Sequence, residues 1–136
     1  MLSWGYGTLL EDGRGLSDLM QGVTLEIFGE GRSPGPYYED GKLVSFGEAM
    51  NKLEESGVSI NVASFLGAAT TRILEVGYEN RDATDQEMKR MKNIVRKSME
   101  EGAMGIGSSL IYAPGDYANT NELIELSKSA SEYGGM

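Results

Sequence analysis

The sequence has no histidine and no cysteine among its 136 residues. Histidine is the commonest metal ligand and the commonest general acid or base near neutral pH. Its absence removes the usual routes to metal-dependent hydrolysis and to Ser/His or Cys/His catalysis, and few complete hydrolases manage without it. Without cysteine, neither a disulfide framework nor a thiolate zinc site can form.

Long apolar runs and basic residues are also scarce. No apolar run approaches the roughly 20 residues that a membrane span needs, and Met1–Trp4 lacks the charged and apolar regions of a signal peptide. The 12 basic residues are outnumbered by 21 acids, for a net charge of −9, so the surface should repel phosphate backbones and anionic lipids. The densest basic stretch, Lys89–Lys97, lies on a predicted helix and is interpreted as its solvated face. We expect a soluble, cytoplasmic protein with no nucleic-acid or membrane partner; any export signal would lie in a missing N-terminal part.

The residues that are present predict one modest globular domain. Hydrophobic residues make up 40% of the chain and charged residues 24%. Three times a charged, amphipathic stretch ends in glycine and gives way to an apolar run, at Gly22, Gly57 and Gly102. Such alternation is typical of helices and strands that follow each other in strict order.

Four helices are predicted, three of them from a capping residue followed three positions later by glutamate. The capping pairs are Ser45 with Glu48, Thr84 with Glu87, and Asn119 with Glu122. A shorter helix is predicted over Leu16–Met20. Methionines recur at helical spacing after Thr84, and we interpret them as core residues rather than as a promiscuous binding face.

Three strands are predicted between these helices. They span Val23–Phe28, Val58–Phe65 and Ala103–Ile111. Helix and strand in alternation imply right-handed crossovers and a parallel sheet. The predicted fold class is α/β: a partial (β/α)8 TIM barrel with about three parallel strands and four helices.

The sequence stops where a further strand is expected, so residues 1–136 are interpreted as a fragment of a catalytic barrel. Long loops are predicted after the strands, over Gly29–Leu43, Gly67–Ala83 and Tyr112–Ala118. In such barrels the loops that follow the strands usually carry the functional residues.

Several blocks of sequence carry a resemblance to a known family. They are Gln21–Thr24, Asn61–Ser64 with the following Gly67 and Arg72, Glu101–Gly105, Ser108–Gly115, Tyr117–Leu123 and Tyr133–Gly135. In this order, and over most of the chain, they resemble the N-acyl-D-amino-acid deacylases of the amidohydrolase superfamily. The resemblance implies a metal-dependent barrel, usually with zinc, that hydrolyses the amide of an N-acyl-D-amino acid through a metal-activated water.

The same resemblance implies that most of the catalytic machinery lies outside this sequence. The family's HxH motif would precede Met1, and two further histidine ligands and the catalytic aspartate would follow Met136. No catalytic residue is therefore assigned here. Zinc is expected in the intact parent and is not expected to be bound by this chain alone.

One candidate metal ligand remains, Glu30. Deacylases of this group commonly read Gly-Asn-Cys-Gly after this strand, with the cysteine on the metal, whereas this chain reads Gly29-Glu30-Gly31-Arg32. A carboxylate can bind zinc and can bridge two metals, so Glu30 is a chemically sensible replacement. Alternatively, Glu30 caps the loop or pairs with Arg32.

Substrate-facing groups are predicted at the end of the third strand. Ser108, Ser109 and Tyr112 would lie where a parent barrel places them, although loop hydrogen bonding explains them about as well. Arg72 could hold a substrate carboxylate, but we favour a structural pairing with Glu75 or Asp82.

Two classes of function follow. The first is a deacylase fragment that is inactive as an isolated chain and whose parent acts on a small N-acyl amino acid. The second is a non-catalytic half-barrel that acts as a binding or assembly module. Self-association through exposed sheet edges is expected in either case, because bare parallel edges are an association hazard.

Overall fold

The computed structural model describes residues 5–136. Met1–Trp4, on which the expectation of no signal peptide rests, lies outside the described residues. The α-helices are α1 Gly5–Glu11, α2 Leu16–Met20, α3 Phe46–Ser56, α4 Ala68–Glu75, α5 Asp85–Glu100 and α6 Thr120–Ser131. The strands are β1 Leu25–Phe28, β2 Tyr37–Glu39, β3 Lys42–Val44, β4 Asn61–Ser64, β5 Leu66–Gly67 and β6 Ile106–Gly107, and a 3-10 helix spans Gly115–Tyr117. None of the helices in residues 5–136 could cross a membrane.

Parallel strands form the centre of the structure. β1 pairs with β4 in parallel, with Leu25 opposite Asn61, and β5 pairs in parallel with β6, with Leu66 opposite Ile106. Phe65 alone separates β4 from β5, and its N–H donates to the carbonyl of Phe28 at 2.9 Å. The strand order is therefore β1, then β4 with β5, then β6. The predicted α/β class with parallel strands is confirmed.

The third predicted strand is much shorter than expected. The prediction covered Ala103–Ile111, whereas β6 is only Ile106–Gly107. On the far side of β6, the N–H of Met136 donates to the carbonyl of Met104 at 3.2 Å, and its own carbonyl accepts from the N–H of Ile106 at 2.8 Å. Beyond Gly107 the chain leaves the sheet, so the predicted substrate-facing residues lie in a loop rather than on a strand.

The helix predictions from caps are confirmed. Ser45 accepts from the N–H of Glu48 through its Oγ at 3.2 Å, while the carboxylate of Glu48 accepts from the N–H of Ser45 at 2.7 Å. Thr84 and Glu87 form the same reciprocal pair. The side chain of Asn119 caps α6, and the short helix at Leu16–Met20 is present.

Four features were not predicted: the β2–β3 hairpin, α1, α4 and the 3-10 helix Gly115–Tyr117. The expected loop Gly29–Leu43 contains the antiparallel hairpin β2–β3, which turns at Asp40 and Gly41, both with positive φ. An Asp-Gly pair between apolar residues is a hairpin signal, and it was missed. The expected loop Gly67–Ala83 contains α4, and α1 precedes the first predicted helix. Both helices are short, and the N-cap of α4 makes no side-chain hydrogen bond of the kind that revealed the longer helices.

The main core lies between β5 and the helices α3 to α6. Its buried members are Phe46, Leu66, Ala68, Val76, Met91, Val95, Ala103, Leu126 and Ala130. Met91 is fully buried, and Met88 and Met99 pack against the cluster. This confirms the interpretation of the methionines as core residues. A smaller cluster joins Leu9 of α1, Phe28 of β1 and Leu53 of α3.

Candidate functional site

The loop that follows β1 crosses the ends of β5 and β6. Its Gly31 carbonyl accepts a hydrogen bond from the N–H of Ala69 at 3.2 Å, and the N–H of Ser33 donates to Oγ1 of Thr70 at 3.0 Å. Ala69 and Thr70 lie in the first turn of α4, where the backbone N–H groups have no partner within the helix. The loop is therefore tied to the start of α4 at the C-terminal ends of the strands.

Two glycines allow this close packing. Gly29 has φ +93°, and a Cβ there would lie 2.0 Å from the carbonyl oxygen of Phe65. A Cβ on Gly107 would lie 2.0 Å from the carbonyl oxygen of Gly29. Any larger residue at either position would push the β1 loop away from the neighbouring strand ends.

Two adjoining cavities open beside this loop. The first, of about 530 Å³, is lined by Ile27, Phe28, Glu30, Phe65, Ile106, Gly107 and Ser108. The second, of about 540 Å³, is lined by Tyr6, Gly7, Glu30, Gly31, Arg32, Ser33, Pro34, Ala69, Ser109, Tyr112 and Ala113. Glu30 belongs to both, so we treat the two cavities together as the strand-end cleft.

All four residues predicted to act at a site meet in this cleft. Glu30 and Ser108 line the first cavity, and Glu30, Ser109 and Tyr112 line the second. They come from the loops after β1 and β6, which are distant in sequence. Parallel strands bring such loops to one edge of the sheet.

Glu30 is exposed, and its side chain makes no hydrogen bond or ion pair with any described residue. The alternative in which it caps the loop or pairs with Arg32 is therefore not observed. Within residues 5–136 no group of three acidic, histidine or cysteine side chains could hold a metal ion. A catalytic zinc takes three protein ligands, so the described residues do not complete a metal site, and Glu30 could contribute only one ligand.

Two cleft residues were missed as site residues. Tyr6 of α1 borders the second cavity, and its hydroxyl donates to the carbonyl of Ala49 at 3.0 Å. Burial, together with the neighbouring Tyr37, raises the pKa of Tyr6 to about 12, so its hydroxyl stays protonated. No sequence signal pointed to Tyr6, because α1 itself was not predicted. Arg32 was considered only as a partner for Glu30, although its place in the same loop was a usable signal.

Arg72 lies behind the cleft and is fully buried. Its Nη1 donates to Oε2 of Glu122 at 2.6 Å, and its Nη2 donates to the backbone carbonyls of Glu79, at 3.3 Å, and Arg81. Burial raises the pKa of Glu122, and the charge of Arg72 opposes that rise. The predicted partners were wrong, since Arg72 pairs with neither Glu75 nor Asp82. The structural role itself is confirmed.

Comparison with curated proteins decides which proteins this chain resembles. It is 28% identical over 120 residues to the D-aminoacylase of Alcaligenes xylosoxydans xylosoxydans, a match that covers 85% of this chain and 25% of that protein. It is 30% identical over 84 residues to the N-acyl-D-glutamate deacylase of the same organism, covering 62% of this chain and 17% of that protein. No family model matches.

Its homologues are N-acyl-D-amino-acid deacylases.

The resemblance seen in the sequence is thus confirmed, and the chain spans about a quarter of the length of D-aminoacylase. Among solved structures, a D-aminoacylase variant in complex with CuCl2 superposes with a TM-score of 0.89 at 23% identity, covering 99% of this chain and 31% of that one. The N-acyl-D-glutamate deacylase of Bordetella bronchiseptica, complexed with zinc and a phosphonate inhibitor, gives 0.81 at 24% identity, covering 92% and 29%. The fold is that of the corresponding part of these deacylases.

Proposed function

We propose that this chain forms part of the catalytic (β/α)8 barrel of an N-acyl-D-amino-acid deacylase and that the strand-end cleft binds the N-acyl amino acid. One observation carries the proposal: residues chosen from the sequence alone, in loops far apart along the chain, line one cleft at the strand ends. In (β/α)8 enzymes the active site lies at this face.

Glu30 is the one residue of the cleft that we assign to the metal. It is exposed, has no side-chain partner among the described residues and borders both cavities. A free carboxylate in that position suits a zinc ion. Because the described residues supply no second and third ligand, we propose that these 136 residues do not hydrolyse the substrate by themselves.

Ser108, Ser109 and Tyr112 are assigned to the substrate. Ser108 borders the first cavity, while Ser109 and Tyr112 border the second, where Ala69 and Pro34 supply an apolar wall. Hydroxyl groups beside an apolar surface suit an acylated amino acid, whose amide needs hydrogen-bond partners and whose acyl chain does not.

Two measurements test this proposal on the 136-residue chain. The first is calorimetric titration with N-acetyl-D-alanine and with its L enantiomer. We expect the D enantiomer to bind more tightly, and Tyr112→Ala to weaken that binding about tenfold, equivalent to about 1.4 kcal/mol. Tyr38→Ala is the matched control, since Tyr38 is exposed to a similar degree, 64% against 58%, on the β2–β3 hairpin outside the cleft.

The second measurement is release of free amino acid in the presence of zinc, with bound metal quantified in the same sample. We expect neither turnover nor stoichiometric metal. Turnover with stoichiometric zinc that Glu30→Ala abolishes would contradict the proposal that the chain lacks a complete site. Equal affinity for the two enantiomers, or an equal loss in Tyr38→Ala, would contradict the assignment of the cleft.

The second candidate, an assembly module, is favoured by one feature of the surface. Leu25 of β1 is 49% exposed, and the outer edge of β1 has no partner strand within residues 5–136. Sedimentation velocity tests it: concentration-dependent association that Leu25→Ser reduces would support self-association through this edge. A monomer at all concentrations would argue against it.

A further inference from the structure

One arginine differs from the other five in its electrostatic partners. The sequence has six arginines, all within residues 5–136. Five of them form ion pairs: Arg14 with Asp12, Arg72 with Glu122, Arg81 with Glu79 and Glu87, Arg90 with Glu75, and Arg96 with Glu132. Arg32 has no acidic partner within the described part of the chain, although the protein carries nine more acids than bases. In a protein with this excess of acids, an arginine without an acidic partner is a candidate for binding an anionic ligand.

The side chain of Arg32 and the backbone around it are nevertheless fixed by contacts. Its Nη2 donates to the hydroxyl of Tyr78, and its guanidinium carbon lies 5.6 Å from the centre of the Tyr78 ring. Both contacts use a neutral partner, so they orient the guanidinium without neutralising its charge. The backbone on either side is fixed as well, since the Gly31 carbonyl and the Ser33 N–H are bonded to the first turn of α4.

Arg32 lines the second cavity of the cleft together with Ser109 and Tyr112, which come from the loop after β6. Glu30 lines the same cavity and makes no ion pair with Arg32, so this acid does not neutralise the guanidinium. A guanidinium presents N–H donors in a planar fork that matches a carboxylate with two parallel hydrogen bonds.

We propose that the guanidinium of Arg32 binds a carboxylate of the ligand that occupies the second cavity. The inference rests on the proposed function, in which that ligand is an N-acyl amino acid. Such a compound has an α-carboxylate, and an acidic amino acid has a second carboxylate on its side chain. Tyr78 is then a positioning residue, which holds the guanidinium in the orientation that the carboxylate meets.

Ligands that carry a carboxylate at different positions, or none, test the inference. N-acetyl-D-alanine carries only the α-carboxylate, N-acetyl-D-isoglutamine carries only the side-chain carboxylate, and N-acetyl-D-alaninamide carries neither. Each is titrated calorimetrically into the 136-residue chain and into Arg32→Gln. We expect Arg32→Gln to weaken binding of a carboxylate by roughly 10- to 100-fold, the range for a hydrogen-bonded charge, and to leave binding of the amide unchanged. Loss for N-acetyl-D-alanine assigns Arg32 to the α-carboxylate, whereas loss confined to N-acetyl-D-isoglutamine assigns it to the side chain.

Two further variants separate binding from a general effect of charge. Arg14→Gln removes the same charge from an exposed arginine outside the cleft, and we expect it to leave all affinities unchanged. Tyr78→Phe keeps the ring and removes the hydroxyl, so carboxylate binding should weaken less than in Arg32→Gln. If Arg32→Gln binds both carboxylates as tightly as the unaltered chain, the inference is wrong. It is also wrong if Arg14→Gln weakens binding to the same extent.

Acetate distinguishes failure of this inference from failure of the proposed function. The Nε–H resonances of the arginines are followed by NMR while acetate is added. A shift at Arg32 that is absent at the five paired arginines would support a carboxylate site even if none of the N-acyl compounds bound, and in that case only the proposed function would fail. If neither acetate nor any N-acyl carboxylate moves the Arg32 resonance, the inference is overturned.

Discussion

Arg72 and Arg32 show how the same side chain is used in two regions of this molecule. Arg72 lies in the helical layer behind the sheet, is fully buried, and bonds to Glu122 and to two backbone carbonyls. Arg32 lies at the strand ends, is exposed, and touches only the neutral ring and hydroxyl of Tyr78. The first arginine joins α4 to α6 and serves the stability of the fold. The second keeps its charge available to a ligand.

The largest expected effect comes from breaking the buried pair. Arg72→Met leaves the carboxylate of Glu122, which is only 2% exposed, without its cationic partner. Breaking such a pair lowers the free energy of unfolding by about 3–5 kcal/mol. Urea unfolding followed by circular dichroism measures the change.

Glu125→Gln is the matched control for this prediction. It removes a carboxylate from α6, the helix that also carries Glu122. The carboxylate of Glu125 pairs with Lys92 and Lys128 in a partly exposed position. The cost there should stay below about 1 kcal/mol. Equal losses in Arg72→Met and Glu125→Gln would contradict the distinction between the buried pair and the surface pairs.

The next largest effect is expected at Gly29, where the β1 loop enters the cleft. Gly29→Ala introduces a Cβ 2.0 Å from the carbonyl oxygen of Phe65 and forces a positive φ on alanine. We expect a loss of about 2–4 kcal/mol in the free energy of unfolding. Gly22→Ala is the control, since Gly22 also has a positive φ, +79°, but open space around it. Its loss should be only about 1–2 kcal/mol, so equal losses would mean that the close approach carries no cost.

Glu26 gives a prediction about pH. It is 2% exposed in β1, and its Oε2 has no hydrogen-bond partner among the described residues. Burial, and then the nearby charge of Asp18 on α2, raise the pKa of Glu26 above its ordinary value of 4.5. Its contribution to stability is therefore complete below pH 4.5 and is lost as the pH rises through the raised pKa.

Glu26→Gln tests this assignment, because the amide has nearly the same shape and carries no charge at any pH. The variant should be more stable than the unaltered chain at pH 7 by roughly 1 kcal/mol, the order of an unsatisfied buried polar group. The difference should shrink toward pH 4.5. Asp18→Asn should also reduce the pH dependence, because it removes the charge that raises the pKa. A difference between Glu26→Gln and the unaltered chain that does not vary with pH would disprove the assignment.

The helices with side-chain caps were predictable because their signals are local. Ser45 and Thr84, each with a glutamate three residues later, mark the starts of α3 and α5 without reference to the rest of the fold. The helix α4 carries no such cap. It begins at Ala68, and the Gly31 carbonyl, distant in sequence, takes up one of its free N–H groups. A hydrogen-bond partner that comes from a distant part of the chain gives no signal in the sequence next to the helix that it caps.

The cleft was predictable in position but not in detail. Parallel strands place their following loops on one side, so Glu30 and Ser109 could be expected near each other from the order of elements alone. The length of β6 could not be predicted from the sequence, because the strand ends where Gly107 packs closely against the backbone of Gly29. The unpaired state of Arg32 likewise follows from where every acidic side chain lies, which only the folded structure shows.

The capping residues carry a smaller prediction. Thr84→Ala removes the hydroxyl that accepts from the N–H of Glu87, and it should lower the free energy of unfolding by about 1 kcal/mol. Thr84→Ser is the control, because serine caps at least as well as threonine. If Thr84→Ser costs as much as Thr84→Ala, the loss comes from the missing methyl group rather than from the cap.

The smallest effect on stability is expected at Arg32, and it completes the comparison with Arg72. The described contacts of the Arg32 side chain are those with Tyr78 on the surface, and an exposed cation–π contact contributes about 0.5–1 kcal/mol. Arg32→Gln should therefore lower the free energy of unfolding by less than about 1 kcal/mol, against about 3–5 kcal/mol for Arg72→Met. A loss at Arg32 as large as that at Arg72 would mean that Arg32 also serves the fold. A small loss of stability together with a large loss of carboxylate binding would show that the cleft keeps an arginine which the fold does not need.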